Sequence, residues 1–221
     1  ELAEYVNVTI AENVAIACAK EGIRLVHIST DHLFDGNKSL LTEDAIFSPL
    51  NVYGATKAKA EEKVYAQNEK TLIIRTNFYG WGTSYRYSFS DYVIASLRKK
   101  QSIQLFEDVF YTPIIADNLI QTINKLLDKE AVGVFNVVGD ERISKFQFGE
   151  KIAKKFGLDN TLNKRSQINK KKHLVARPSD MSLSNRKVVN YLNCKVGSVE
   201  EHAAILLKQE ENGIAGEIKK L

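Results

Sequence analysis

Apolar and polar positions in the first third of the chain follow helical and strand-like patterns in turn. Residues 2–20 carry apolar side chains at helical spacing, which predicts a helix. The runs 23–28 and 71–76 contain few polar breaks, as is typical of buried parallel strands. Between them, a long loop over 30–51 precedes a predicted helix over 52–68. This order of elements predicts an α/β fold on a partial doubly wound, Rossmann-like parallel sheet.

The rest of the chain has a mixed pattern, which predicts a smaller carboxy-terminal lobe. Capping boxes mark two helix starts, at Ser144 and Ser198. Further helices are predicted over 88–100 and 116–128, and strands over 103–106 and 134–138. We expect residues 1–80 to form part of an NAD(P)-binding domain and 81–221 mainly a substrate-binding lobe. One or two segments within 103–139 are expected to return to the sheet.

The amino-acid composition and net charge of the chain limit the classes of function that it can have. With 221 residues, 44% of them hydrophobic, the chain can bury a sizeable core. A net charge of +4 gives little reason to expect a nucleic-acid partner, and the basic run 170–173 is expected to be a solvated loop. No apolar run approaches the roughly 20 residues of a membrane span. The four histidines form no metal-ligand pattern, and Cys18 and Cys194 suggest free thiols in the cytoplasm.

Tyr53 and Lys57 carry the strongest chemical signal. Four residues make about one helical turn, so both side chains project from one face of the 52–68 helix. A free phenol has a pKa of about 10, and an ammonium one turn away favours the phenolate. Thr30, just past the preceding strand, can hydrogen-bond the same carbonyl oxygen. We predict these three residues as a catalytic set for hydride transfer. The alternative is that Lys57 reaches solvent and Tyr53 only packs.

The expected cofactor contacts lie at the same strand ends. Ser29 and Asn77 each follow a predicted strand, where ligands of doubly wound sheets bind, and they join Tyr53 and Lys57 as predicted cofactor-binding residues. The segment 80–82, Gly-Trp-Gly, begins like a dinucleotide fingerprint but lacks its third glycine and its acidic partner. We assign this segment to a substrate loop, in which Trp81 stacks on substrate or simply packs.

Two runs carry the most specific patterns in the chain, S-T-D-H-L-F-D-G at 29–36 and P-L-N-V-Y-G-A-T-K at 49–57. They resemble S-T-D-Y-V-F-D-G and P-x-N-x-Y-G-x-(S/T)-K of the dTDP-4-dehydrorhamnose reductases, a family of extended short-chain dehydrogenase/reductases. Arg177, Pro178 and Asp180 are similar to that family's carboxy-terminal R-P-x-D-S-x-L. The likeness spans about residues 1–190.

The resemblance implies an oxidoreductase that uses NADPH or NADH. Its expected reaction is reduction of the C4 keto group of a nucleotide-linked 4-keto-6-deoxy sugar, as in dTDP-rhamnose and polysaccharide biosynthesis. It implies the same triad that the residues suggest. The expected substrate contacts are Asp31, His32, Phe78, Trp81 and Arg177, with Phe78 near the sugar and Arg177 near the diphosphate. His32 stands where the family has Tyr, a change that bears on sugar identity.

The family's amino-terminal third holds the glycine-rich turn that binds the cofactor phosphates. We find no counterpart of it in this sequence, and we expect that the chain lacks that third and is inactive alone. Two other functions stay open beside the reductase. One is a sugar-nucleotide epimerase or dehydratase with the same triad. The other is a non-catalytic binding subunit like the regulatory subunit of methionine adenosyltransferase. A nucleotide sugar is the expected substrate, and a homodimer is left open.

Overall fold

A three-stranded parallel sheet lies at the centre of the computed structural model, which describes residues 1–168 and 176–221. Its strands are β1 (Val26–Ile28), β2 (Leu72–Arg75) and β7 (Gly133–Asn136), in the order β1-β2-β7. Strand β2 is buried along its whole length, including the charged Arg75 at its end, and its apolar residues Leu72, Ile73 and Ile74 are typical of a buried parallel strand. The predicted α/β fold is confirmed, although β1 is shorter than the apolar run 23–28. Strand β7 comes from the segment that we expected to return to the sheet.

Helix α3 (Val52–Gln67) follows the long loop and carries the Tyr-Lys pair. Asn51 begins the helix, because its side-chain oxygen accepts a hydrogen bond from the Gly54 N–H at 2.9 Å. Ala60 and Val64, four residues apart, are fully buried. The helix therefore packs inward along the face that carries these two residues.

The first helical segment packs on α3 through a narrow face. It consists of α1 (Leu2–Glu4), a π-helical turn (Tyr5–Thr9) and α2 (Ile10–Lys20), which run without a break. Val8 and Ala15 are buried, and Asn7 donates a hydrogen bond to Thr56 of α3 at 3.0 Å. The apolar stripe that predicted this helix lies on its exposed side: Leu2, Val6, Ile10 and Val14. The spacing of these apolar residues predicted the helix correctly. It did not predict which face of the helix packs against other described residues.

Two further helices, α5 (Ala116–Asp128) and α7 (Arg186–Leu192), pack against the sheet. Their buried side chains form one cluster with strand residues: Leu72, Ile74, Leu119, Leu126, Phe135 and Val188. Ile73 lies between two of these strand residues and is also buried. Because side chains alternate along a strand, it points to the opposite face. The sheet is thus covered on both sides.

The remaining elements form a second core around Phe148. They are β3 (Phe78–Tyr79), α4 (Phe89–Arg98), β4 (Ile103–Phe106), β5 (Phe110–Tyr111), β6 (Ile114–Ile115), β8 (Ile143–Ser144), α6 (Lys145–Lys155), a 3₁₀ turn (Asn160–Leu162), β9 (Asn163–Ser166), α8 (Val199–Glu211) and α9 (Ile214–Ile218). Both predicted capping boxes are present, at Ser144 and Ser198. The short strands pair two by two, apart from the central sheet.

The long loop after β1 is held by buried contacts, although it contains no helix. Arg75 at the end of β2 forms an ion pair with Glu61 of α3 at 2.8 Å, and the two side chains are only 4% and 3% exposed. The same guanidinium donates to the Glu43 carbonyl of the loop at 3.0 Å. Leu33 and Phe34 of the loop are buried. These contacts fix the loop between the sheet and α3.

Three further expectations from the sequence concern the basic run, the two cysteines and a membrane-spanning segment. The basic run 170–173 lies outside the described residues. Both Cys18 and Cys194 are free thiols. Among the helices of residues 1–168 and 176–221, none combines the length and the apolar character that crossing a membrane requires.

Replacing Glu61 by Ala is expected to lower the free energy of unfolding by about 3–5 kcal/mol, because Arg75 would remain as an uncompensated buried charge. The matched control is Glu210→Ala, which breaks the partly exposed pair of Arg98 and Glu210 and should cost about 0–1 kcal/mol. Urea unfolding followed by circular dichroism measures both values. Equal losses in the two variants would contradict the role given to the buried pair.

Candidate active site

The carboxyl ends of β1 and β2 meet at one edge of the sheet, because the two strands are parallel. Polar residues follow both ends, and the Ser29 N–H donates to the Ile74 carbonyl at 2.7 Å, which extends the pairing past β1. A cavity of about 220 Å³ lies at this edge. Its lining residues are Ser29, Thr30, Asp31, His32, Tyr53, Thr76, Asn77 and Phe78. The structure therefore brings together two of the three predicted catalytic residues and most of the predicted ligand contacts.

Tyr53 reaches the cavity because the start of α3 lies against the chain just after β1. Gly54 makes this approach possible: a Cβ there would overlap the carbonyl oxygen of His32. The Tyr53 ring meets the His32 ring edge-on, with centroids 5.7 Å apart. Tyr53 is 48% exposed, so its hydroxyl is open to a ligand.

Lys57 lies one turn further along α3, behind the cavity. Its ammonium donates to the carbonyl of Ile28, the last residue of β1, at 2.7 Å. Burial lowers the pKa of Lys57, and the negative charge of Glu61 partly offsets that effect. Lys57 thus ties α3 to the strand end that leads into Thr30.

Thr30 is buried at the floor of the cavity, where its Oγ1 accepts from the His32 N–H at 3.3 Å. The neighbouring carboxyl of Asp31 is almost fully buried and accepts from Asn77 Nδ2 at 2.5 Å. Burial raises the pKa of Asp31, and the nearby His32 and the Asn77 hydrogen bond oppose that rise. Asp31 and Asn77 therefore bridge the two strand ends, which makes them part of the framework of the site.

Two hydroxyl groups at these strand ends have unused hydrogen-bonding capacity. Ser29 Oγ and Thr76 Oγ1 are buried and have no hydrogen-bond partner within residues 1–168 and 176–221. A buried hydroxyl without a partner costs free energy, so each of these two groups is a candidate hydrogen-bond partner for a ligand in the cavity. The polar ribose and carboxamide groups of a nicotinamide cofactor suit them. The residues at this edge therefore fit the cofactor that the sequence predicts.

The other predicted substrate contacts are placed differently. Phe78 stands at the rim of the cavity and is 56% exposed. Trp81 is buried in the second core, where its indole N–H donates to the Leu206 carbonyl at 3.1 Å and its ring meets Phe156 edge-on. This position corrects the substrate-contact assignment in favour of packing. Arg177 is exposed and lies near enough to Lys145 to influence its ionisation.

Sequence reasoning missed Lys145, which opens helix α6 beside this region. Its Nζ lies over the Tyr111 ring, 3.3 Å from the centroid, and burial lowers the pKa of Lys145 to about 8 while the Asp31 charge partly offsets that effect. One signal was available in the sequence. The first turn of a helix favours acidic residues, because the N-terminal end of the helix dipole is positive. A lysine directly after the capping Ser144 is unfavourable there and therefore needs another reason.

Comparisons with known proteins give the family of the chain. The family described as RmlD substrate binding domain matches residues 1–212. The probable low-salt glycan biosynthesis reductase of Haloferax volcanii is 32% identical over 210 residues, which are 93% of this chain and 70% of that protein. Methionine adenosyltransferase 2 subunit beta of Xenopus laevis is 30% identical over 169 residues, 73% of this chain but only 50% of that protein.

A solved structure gives the same result for the fold. The dTDP-4-dehydrorhamnose reductase of Bacillus anthracis, crystallised with NADP, superimposes with a TM-score of 0.84 at 26% identity. The superposition covers 92% of this chain and 72% of that one. Together with the family match over almost the whole sequence, it leaves one conclusion: the chain belongs to the RmlD substrate binding domain family, within the extended short-chain dehydrogenase/reductases.

Proposed function

We propose that the intact protein is an NAD(P)H-dependent reductase of a nucleotide-linked 4-keto-6-deoxy sugar, resembling dTDP-4-dehydrorhamnose reductase. The observation that carries this proposal is the cavity at the sheet edge, where the Thr30 and Tyr53 hydroxyls line one space and Lys57 stands behind Tyr53. A space of about 220 Å³ holds a reacting sugar carbon and its neighbours rather than a whole nucleotide sugar. The nucleotide would then extend outwards past Phe78.

The roles of the three residues follow from their positions. A nicotinamide cofactor supplies the hydride when it is bound. Thr30 Oγ1, which donates to Asp31 Oδ1 at 3.4 Å in the structure, would turn its proton to the substrate carbonyl oxygen and fix its position. Tyr53 Oη gives its proton to that oxygen as negative charge develops on it. The Lys57 ammonium, one helical turn away, stabilises the charge left on the phenol oxygen.

The cofactor would be held by groups whose capacity is free in the structure. Ser29 and Thr76 offer their buried hydroxyls, and Asn77 offers the part of its amide that Asp31 does not use. Lys57 would exchange its contact with the Ile28 carbonyl for a ribose hydroxyl. The expected cofactor is NADPH or NADH, and the expected substrate is a nucleotide sugar. A cytoplasmic location is also expected, and a homodimer stays open.

Replacing Tyr53 by Phe in the intact protein should cut kcat by about 10²–10⁴-fold, because the proton donor is removed while the ring stays. Cofactor affinity should change little, since Tyr53 contributes one hydroxyl among several contacts. The matched control is Tyr65→Phe, a half-exposed tyrosine on the same helix. Steady-state kinetics and cofactor titration test both variants. Near-normal turnover of Tyr53→Phe would reject Tyr53 as the acid.

Replacing Gly54 by Ala should also reduce turnover strongly, about 10²-fold, because the new methyl group would push α3 away from the His32 carbonyl. Gly216→Ala is the control, since a Cβ at Gly216 meets open space. Turnover is compared at saturating substrate, with circular dichroism to check that both variants are folded. A Gly54→Ala protein as active as the control would show that the close approach is not needed.

The stoichiometry of cofactor use separates the three functions that stay open. A reductase consumes one NAD(P)H for each product molecule, whereas an epimerase or dehydratase returns the hydride and consumes none. A non-catalytic subunit like the methionine adenosyltransferase subunit makes no product. Absorbance at the NAD(P)H band, measured with chromatography of the sugar nucleotide, gives the ratio. We expect a ratio of one, and a ratio of zero would overturn the reductase assignment.

A further inference from the structure

His32 lies between the two hydroxyls to which the proposed function assigns the substrate carbonyl. Its backbone N–H donates to Thr30 Oγ1 at 3.3 Å, and its ring meets the Tyr53 ring edge-on, with centroids 5.7 Å apart. All three residues line the cavity, and the His32 side chain is 24% exposed. The imidazole is therefore part of the cavity wall and a direct neighbour of the proposed acid.

The ring nitrogens of His32 are not committed to hydrogen bonds with the described residues. Nδ1 has no partner among them. Nε2 lies 3.9 Å from Asp31 Oδ1, which is close enough for attraction between charges but too long for a hydrogen bond. Contacts of catalytic groups are often long before a substrate binds and shorten when it does. The imidazole thus keeps its capacity to give and take a proton.

A buried carboxyl stands behind this imidazole. The Asp31 side chain is only 2% exposed, and burial raises its pKa, whereas the charges of His32 and of Lys145 on α6 lower it. A protonated imidazole and an ionised Asp31 therefore stabilise each other. On its other side the imidazole faces α3, which contributes Tyr53 and, one turn further along, Lys57. An imidazole held between a carboxyl and a hydroxyl is an arrangement suited to acid-base catalysis.

The residue type at position 32 gives this arrangement its chemistry. The run 29–36 has His where the similar S-T-D-Y-V-F-D-G has Tyr. A phenol has an unperturbed pKa of about 10, so a second phenol in this place would stay neutral at physiological pH. An imidazole changes its charge between about pH 5 and 8. The chain thus has a proton carrier beside Tyr53 that the family pattern does not supply.

We propose that His32 is a further catalytic residue, which passes a proton to the Tyr53 oxygen after Tyr53 has given its own to the substrate. This inference rests on the reductase in the proposed function. The Tyr53 O–H bond breaks as an O–H bond forms on the sugar, and an imidazolium N–H bond then breaks to restore the phenol. The proton crosses directly or over one water molecule of the cavity. The neutral imidazole takes up the next proton from solvent.

The test is the pH dependence of kcat for the intact protein and for its His32→Ala and His32→Tyr variants, at saturating substrate and cofactor. The transfer needs the protonated imidazole, so wild-type kcat should fall as the pH rises from about 5 to 8. Both variants should lose this fall, and at the acidic end of the range their kcat should be about 10²-fold below that of the wild type. KM should change less than kcat, because the affected step follows substrate binding.

Added imidazole supplies a matched comparison between the two variants. His32→Ala leaves a space for free imidazole, which should raise its kcat about 10-fold by carrying the proton instead. His32→Tyr fills that space with another ring and should not respond. Circular dichroism checks that both variants are folded. If His32→Ala unfolds early, the pH profile of His32→Tyr decides.

The possible results separate the inference from the proposed function. A His32→Ala protein with wild-type kcat would overturn the inference and leave the proposed function standing. So would a loss of kcat that keeps the wild-type pH profile and does not respond to imidazole, since packing or sugar binding would then explain it. A wild-type protein that consumes no NAD(P)H with the keto sugar would reject the proposed function, and the inference with it. Loss of the pH-dependent fall in both variants, with recovery of His32→Ala alone, would support the proposal.

Discussion

The close approach of α3 to the end of β1 is the constraint on which the site depends. It exists because position 54 has no side chain, so the helix start can rest against the His32 carbonyl. The Lys57 ammonium then reaches the Ile28 carbonyl, and Tyr53 faces the strand end. A helix and a strand far apart in sequence thereby supply the hydroxyls of one cavity. Any larger residue at position 54 would separate the start of α3 from the end of β1.

The fold holds this approach with buried charge as well as with apolar packing. The ion pair of Arg75 and Glu61 joins β2 to α3, and the Arg75 contact with the Glu43 carbonyl adds the loop. A buried pair of this kind gains little net stability over apolar residues, but it is costly to break. It therefore favours one arrangement of sheet, helix and loop. That arrangement is the one that places Thr30 beside Tyr53.

In contrast, the polar groups of the site itself are left incompletely paired. Ser29 and Thr76 at the strand ends, and Tyr79 and Tyr111 near Lys145, have buried hydroxyls without partners in the described parts of the chain. A protein optimised for stability alone would pair or replace such groups. Ser29 and Thr76 line the cavity at the strand ends, where a ligand can supply the missing hydrogen-bond partners.

Local signals carried most of what the sequence could predict. Capping boxes at Ser144 and Ser198 and the cap at Asn51 depend on neighbours three residues away, so they are readable without a structure. The Tyr-x-x-x-Lys spacing and the strand-end hydroxyl are likewise local, and they led to the cavity. Long-range packing could not be read in this way. The apolar stripe of the first helix proved exposed and Trp81 proved to be a core residue, because the face that packs depends on partners distant in sequence.

Transfer of isotope from cofactor to substrate tests the central claim most directly, because the claim is that one cavity delivers hydride and proton to a single carbonyl. The intact protein would be supplied with NADPH that carries deuterium at both hydrogen positions of the nicotinamide C4 and with a dTDP-linked 4-keto-6-deoxy sugar. Mass spectrometry and NMR would then locate the label in the product. The account predicts one deuterium, not exchangeable with water, on the C4 carbon of the sugar. A product that carries no deuterium at that carbon would contradict it.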